Sequence, residues 1–109
     1  MSEHPDVEDR LRPLVQLVVE RLFRPGELDG WCFVWRRDGR SGPHQLMASV
    51  AAAGETFDGY IWEGAGYAPE DGLDVFVDGL EDFISGSRFA WGQQRLLNER
   101  PWRDRWRRR

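Results

Sequence analysis

Lysine is missing from this chain of 109 residues, and all fifteen of its basic side chains are arginine. Every cation is therefore a planar guanidinium, able to fork onto carboxylates and to stack on aromatic rings. Cysteine occurs once, as Cys32, which excludes an intramolecular disulfide. Cys32 lies in an apolar run and is expected to behave as a small hydrophobe. No apolar run approaches the ~20 residues of a membrane-spanning helix. The opening Met1-Ser2-Glu3-His4-Pro5-Asp6 is polar and acidic and lacks the pattern of a signal peptide, so the expected location is cytoplasmic.

Catalytic signatures are equally scarce. There is no nucleophile elbow, phosphate-binding loop, paired-cysteine motif or dinucleotide fingerprint. The two histidines, His4 and His44, fall in a terminal segment and a turn, with no second ligand at metal spacing. Glu63 beside Gly64 and Gly66 is a lone carboxylate next to a flexible loop. No compact oxygen-ligand loop for a hard cation is visible. The expectation is a protein without catalytic residues, metal or cofactor.

What the chain does have is segregated charge. Residues 41–87 carry nine carboxylates and no arginine, whereas residues 88–109 carry eight arginines and two carboxylates. The net charge of −4 hides this division. Opposite blocks of this kind either neutralise each other within one molecule or each seek a partner. A modest negative total argues against nucleic acid as the main partner of the globular part. The length is that of one domain with one core. Six tryptophans are many for such a chain, and tryptophan suits cores, interfaces and pockets alike.

Periodicity divides the chain into elements. Val7, Leu11, Leu14, Val15, Val18 and Leu22 recur at helical spacing over 7–23, with Asp6 as a candidate cap. Pro13 predicts either a kink or a helix whose long part begins near Arg12. Strands are expected at 31–36, 45–52 and roughly 56–63, with Gly59 as a candidate bulge. Leu73, Phe76, Val77, Leu80, Phe83 and Ile84 form an apolar stripe that predicts a helix over 70–85. Pro69 suits its first turn, and Gly86 a left-handed cap at its end. Residues 88–91 read as a short fourth strand and 93–100 as helical. The expected fold class is α+β: one domain over 1–100, an antiparallel meander of three to four strands with two main helices on one face, and a basic tail over 101–109.

Three surfaces are candidates for contact. Behind the apolar stripe lie Asp71, Asp74, Asp78, Glu81 and Asp82. Like charges four apart destabilise a helix, so helix stability alone does not select this pattern. It reads as a solvated face, as a dock for a basic protein, or as the acceptor of the chain's own arginine tail. The aromatic set Trp31, Phe33, Trp35, Tyr60 and Trp62 could line one sheet face, as core if a helix fills it and as a ligand or homodimer site if left open. The tail, with Arg103, Arg105, Arg107, Arg108 and Arg109 beside Trp102 and Trp106, has the composition of a segment that contacts nucleic acid or an anionic membrane. The functional expectation is a non-enzymatic binding protein of inhibitor, antitoxin or immunity type, presenting an acidic surface to a basic partner. The alternatives are a homo-oligomeric or small-ligand-binding domain using the aromatic face, and a nucleic-acid accessory using the tail.

Overall fold

The computed structural model describes residues 5–37, 44–62 and 69–103. A helix α1 (Pro5–Leu22) leads into three strands, β1 (Leu28–Arg37), β2 (His44–Ala52) and β3 (Glu55–Trp62). A 3-10 turn over Pro69–Gly72 runs into helix α2 (Leu73–Ser85), and a second 3-10 turn spans Pro101–Arg103. The strands pair antiparallel in the order β1-β2-β3. The fold is thus a small α+β domain with a three-stranded meander and two helices.

Helix α1 begins at Pro5, where a missing N–H costs nothing, so Asp6 sits in the first turn and not at the cap. Pro13 lies inside the helix, which runs unbroken from Pro5 to Leu22, so its long part does not wait until Arg12. Asp9 and Pro13 are both exposed, so water can meet the Asp9 carbonyl that the ring leaves unmatched. The stripe Leu11, Val15, Val18, Val19 and Leu22 faces inward and is buried.

The register sorts the sheet into two faces. Trp31, Phe33 and Trp35 lie opposite Val50, Ala48 and Leu46. Val50, Ala48 and Leu46 in turn oppose Phe57, Gly59 and Trp62. This face carries both helices. Buried Leu46, Ala48 and Val50 join one core with the inward residues of α1 and with Leu73, Phe76, Val77, Leu80 and Ile84 of α2. Small residues on β2 leave room for the rings on either side. Trp31 Nε1 donates to Gln16 Oε1 at 2.8 Å and Trp35 Nε1 to Glu8 Oε2 at 2.7 Å, which lays α1 along β1. Phe57 stacks on Phe83 at 5.5 Å, which sets α2 over β3. Arg10 forks onto Glu70 at 2.7 and 3.2 Å and ties α1 to the turn before α2.

Among the described residues no helix lies on the opposite sheet face. Cys32, Val34 and Tyr60 are exposed there, and Met47 is its buried member. Cys32, expected to behave as a small hydrophobe, is therefore a surface residue. The register slips between Leu46 and Met47, so the β3 bulge is at Ile61 and not at Gly59. Gly59 has a packing role instead: a Cβ there would lie 2.7 Å from the rings of Phe57 and Phe76.

Beyond α2 the expectations need correction. Gly86 ends the helix in a right-handed conformation (φ −93°), with its N–H donating to Asp82 O at 3.1 Å. Residues 88–91 form bends and a turn, not a fourth strand, and 93–100 are irregular, not helical. This segment packs through buried Ala90, Leu97 and Trp102. The boundary expected at Arg100 therefore falls inside packed structure, because Trp102 belongs to the core.

Candidate protein-binding surface

The five carboxylates expected on one helix face divide by environment. Asp71 belongs to the 3-10 turn and is half-buried, as are Asp74 and Glu81, whereas Asp78 and Asp82 are exposed. One arginine organises three of them. The side chain of Arg100 is only 8% exposed, and it donates to Asp74 Oδ1 at 3.1 Å and to Asp78 Oδ1 at 2.9 Å. It also lies 3.7 Å from Glu81 Oε1. Its Nε donates to Leu97 O at 3.0 Å, which fixes the plane of the guanidinium. Trp102 Nε1 donates to the same Asp74 Oδ1 at 3.0 Å. Glu81 Oε2 accepts from the Leu97 N–H at 2.6 Å. Burial of Arg100 works against its charge, but the hydrogen bonds to Asp78 and Asp74 outweigh that and raise its pKa.

The intramolecular alternative is thus realised along one flank of α2. The acids that looked free in the sequence hold the chain's own Arg100 and Trp102. What remains outward is Val75, 69% exposed, beside Asp78 and Asp82 on the same side of the helix. Two further large apolar side chains, Trp91 and Leu96, are exposed on the segment that follows. Trp91 precedes Gly92, whose N–H donates to Ser85 O at the end of α2. Leu96 precedes Leu97, whose N–H is held by Glu81. The surface around α2 therefore combines carboxylates with apolar groups.

The aromatic set is divided as well. Trp31, Phe33, Trp35 and Trp62 are half-buried against the helix-bearing core. Trp35 and Trp62 meet edge to face at 6.2 Å, and Arg12 lies over the Phe33 ring at 5.3 Å. Tyr60 is 45% exposed and on the opposite face, because the bulge at Ile61 reverses the alternation. Of the two readings of the aromatic set, the helix-covered one fits Trp31, Phe33, Trp35 and Trp62, and Tyr60 stands apart from them. Of the tail arginines, Arg103 ends the last 3-10 turn, and Arg105, Arg107, Arg108 and Arg109 lie outside the described residues.

Other chemistry is sparse. A shallow groove of about 270 Å³ runs between Val19, Phe23 and Leu28, but only Glu20 and Arg24 supply charge at its rim. Among the described residues no group of three His, Cys, Asp or Glu side chains could hold a metal ion. Among them, too, no helix is long and apolar enough to cross a membrane.

Sequence reasoning missed Val75, Trp91 and Leu96 as surface groups and Arg100 as an organising cation. The charge segregation was the signal for Arg100, since it sits where the basic block begins. No periodicity marks Trp91 or Leu96. Comparison with protein-family models, with curated proteins and with solved structures returns no match, so function is argued from the chain's own residues.

Proposed function

We propose that this chain is a non-enzymatic binding domain, of inhibitor, antitoxin or immunity type, whose α2 surface receives a basic segment of a partner protein. One observation carries the reading: of the five large apolar side chains exposed among the described residues, Val75 shares a face of α2 with Asp78 and Asp82, and Trp91 and Leu96 lie on the segment that is bonded to α2 at Ser85 and Glu81. Apolar groups give such a contact its affinity, and carboxylates select a cationic partner and speed its arrival. The flank of the same helix already receives an arginine and a tryptophan from this chain, which is the chemistry proposed for the partner. An exposed free thiol at Cys32 suits the reducing cytoplasm.

The test uses an amphipathic peptide rich in arginine and leucine, followed by amide chemical shifts. Shifts are expected at Val75, Asp78, Asp82, Trp91 and Leu96, with affinity falling as salt rises. Val75→Glu is expected to weaken binding at least tenfold without unfolding the domain. Shifts spread over all acidic residues, or centred on another surface, would refute the assignment.

A further inference from the structure

Strand β1 is an edge of the sheet, and among the described residues it pairs only with β2. An edge strand offers a row of unpaired backbone groups to any second strand. Natural edges are guarded by lysine, proline, inward charge or a bulge. On β1 the single irregularity lies at its start, between Leu28 and Gly30. The stretch Trp31-Cys32-Phe33-Val34-Trp35 contains none of the usual guards. Its side chains are incompletely covered on both faces. Trp31, Phe33 and Trp35 are half-buried on the helix side, and Cys32 and Val34 are exposed on the other. On the helix side Glu8, Arg12 and Gln16 meet Trp35, Phe33 and Trp31, so α1 covers the rings of this strand.

The sequence of the strand specifies what fits. Read from either end it runs tryptophan, small apolar, phenylalanine, small apolar, tryptophan. Antiparallel pairing with an identical strand, centred on Phe33, sets Phe33 against Phe33, Trp31 against Trp35 and Cys32 against Val34. Each is a favourable cross-strand pair with Cβ atoms about 4.5–5.5 Å apart. The apolar centre is thus complementary to itself under a two-fold axis, which is the condition for an isologous contact.

We propose that β1 is the interface strand of a homodimer, pairing antiparallel with β1 of a second copy in the register centred on Phe33 and extending the sheet to six strands. This contact uses a different surface from α2 and does not depend on the function proposed above.

Sedimentation of the full chain is expected to show a concentration-dependent dimer. Val34→Lys places a guard on the edge and is expected to give a monomer with an unchanged far-ultraviolet spectrum. Register is read by cross-linking. In the Val34→Cys variant each introduced thiol faces Cys32 of the other copy. Diamide, reduced to its hydrazine as two thiols join, is then expected to convert most of the protein to a covalent dimer. The Thr56→Cys variant, on the far edge of the same face, is expected to stay unlinked, and so is the unaltered chain, whose Cys32 pair lies on a diagonal. A chain that stays monomeric at its highest soluble concentration overturns the proposal. Equal cross-linking of both cysteine variants, or efficient linkage through Cys32 alone, overturns the register.

Discussion

Individual residues set the tightest constraints in this fold. The β2–β3 hairpin turns through Ala53 and Gly54, both with positive φ, at 50° and 83°. That is the pattern of a type I′ turn, for which asparagine followed by glycine is preferred. Alanine at φ 50° bears a steric cost that asparagine tolerates better. Ala53→Asn is expected to stabilise the domain by about 0.5–1 kcal/mol, read as a rise in denaturation midpoint with an unchanged m-value. Gly72 is constrained by space instead of dihedral angle, since its φ is an ordinary −80°. A Cβ built there would fall on the Ile61 carbonyl oxygen, which is backbone and cannot move aside cheaply. Gly72→Ala is expected to force the 3-10 turn off β3 and cost at least about 3 kcal/mol, or to abolish folding. A midpoint within error of the parent chain would show that the turn shifts freely. Nothing in the sequence distinguishes Gly72 from a routine loop glycine, because the close approach is made by a residue eleven positions away.

Elements followed their periodicity where local pattern and tertiary packing agree. The stripe from Leu73 to Ile84 is legible because a helix that buries it needs no other information. The three strands were legible from alternation, but the faces were not. One extra residue at Ile61 moved Tyr60 away from Trp62, and a bulge leaves no reliable mark in composition. Residues 93–100 are good helix formers held in an irregular path by distant contacts. Arg95 donates to the Leu22 carbonyl at 3.1 Å and to Glu27 Oε2 at 3.0 Å, and such long-range bonds override propensity. The acidic face of α2 was legible as a cluster, but its division was not, because Arg100 reaches it from outside the helix. That division gives opposite expectations for two similar substitutions. Asp82→Asn relieves repulsion with Asp78 at i, i+4 and is expected to stabilise by roughly 0.2–0.5 kcal/mol. Asp78→Asn removes a charged acceptor from Arg100 and is expected to destabilise by roughly 1 kcal/mol. Urea denaturation of both variants decides the matter, and equal shifts would mean that Arg100 does not discriminate between them.

At the scale of the whole molecule, the segment after α2 is a strap held by two guanidinium clamps. Arg95 grips Glu27 at the junction of α1 and β1, and Arg100 grips the flank of α2. Between them Leu97 enters the core, and Trp102 closes it with only 6% of its surface exposed. The basic end of the chain is thus partly a structural element. Trp102→Ala is expected to cost about 3 kcal/mol, at the low end for a buried tryptophan because it lies near the rim. The Glu27 clamp should also make stability depend on pH. The hydrogen bond from Arg95 lowers the Glu27 pKa, burial opposes this, and the Arg24 N–H at 2.7 Å adds to the lowering. A carboxylate whose pKa is depressed by folding binds fewer protons in the native state. Its stabilisation is therefore complete above the unfolded pKa, roughly 4.3, and is lost as pH falls through the lower folded value. Acid should loosen the strap at this clamp. Glu27→Gln keeps an acceptor for Arg95 but cannot titrate. Thermal melts of both proteins from neutral pH down to about pH 3 are expected to show the parent chain more stable at neutral pH and the difference shrinking on acidification. Parallel curves would mean that Glu27 does not carry the dependence, and a difference that grows in acid would reverse the sign assigned to the clamp.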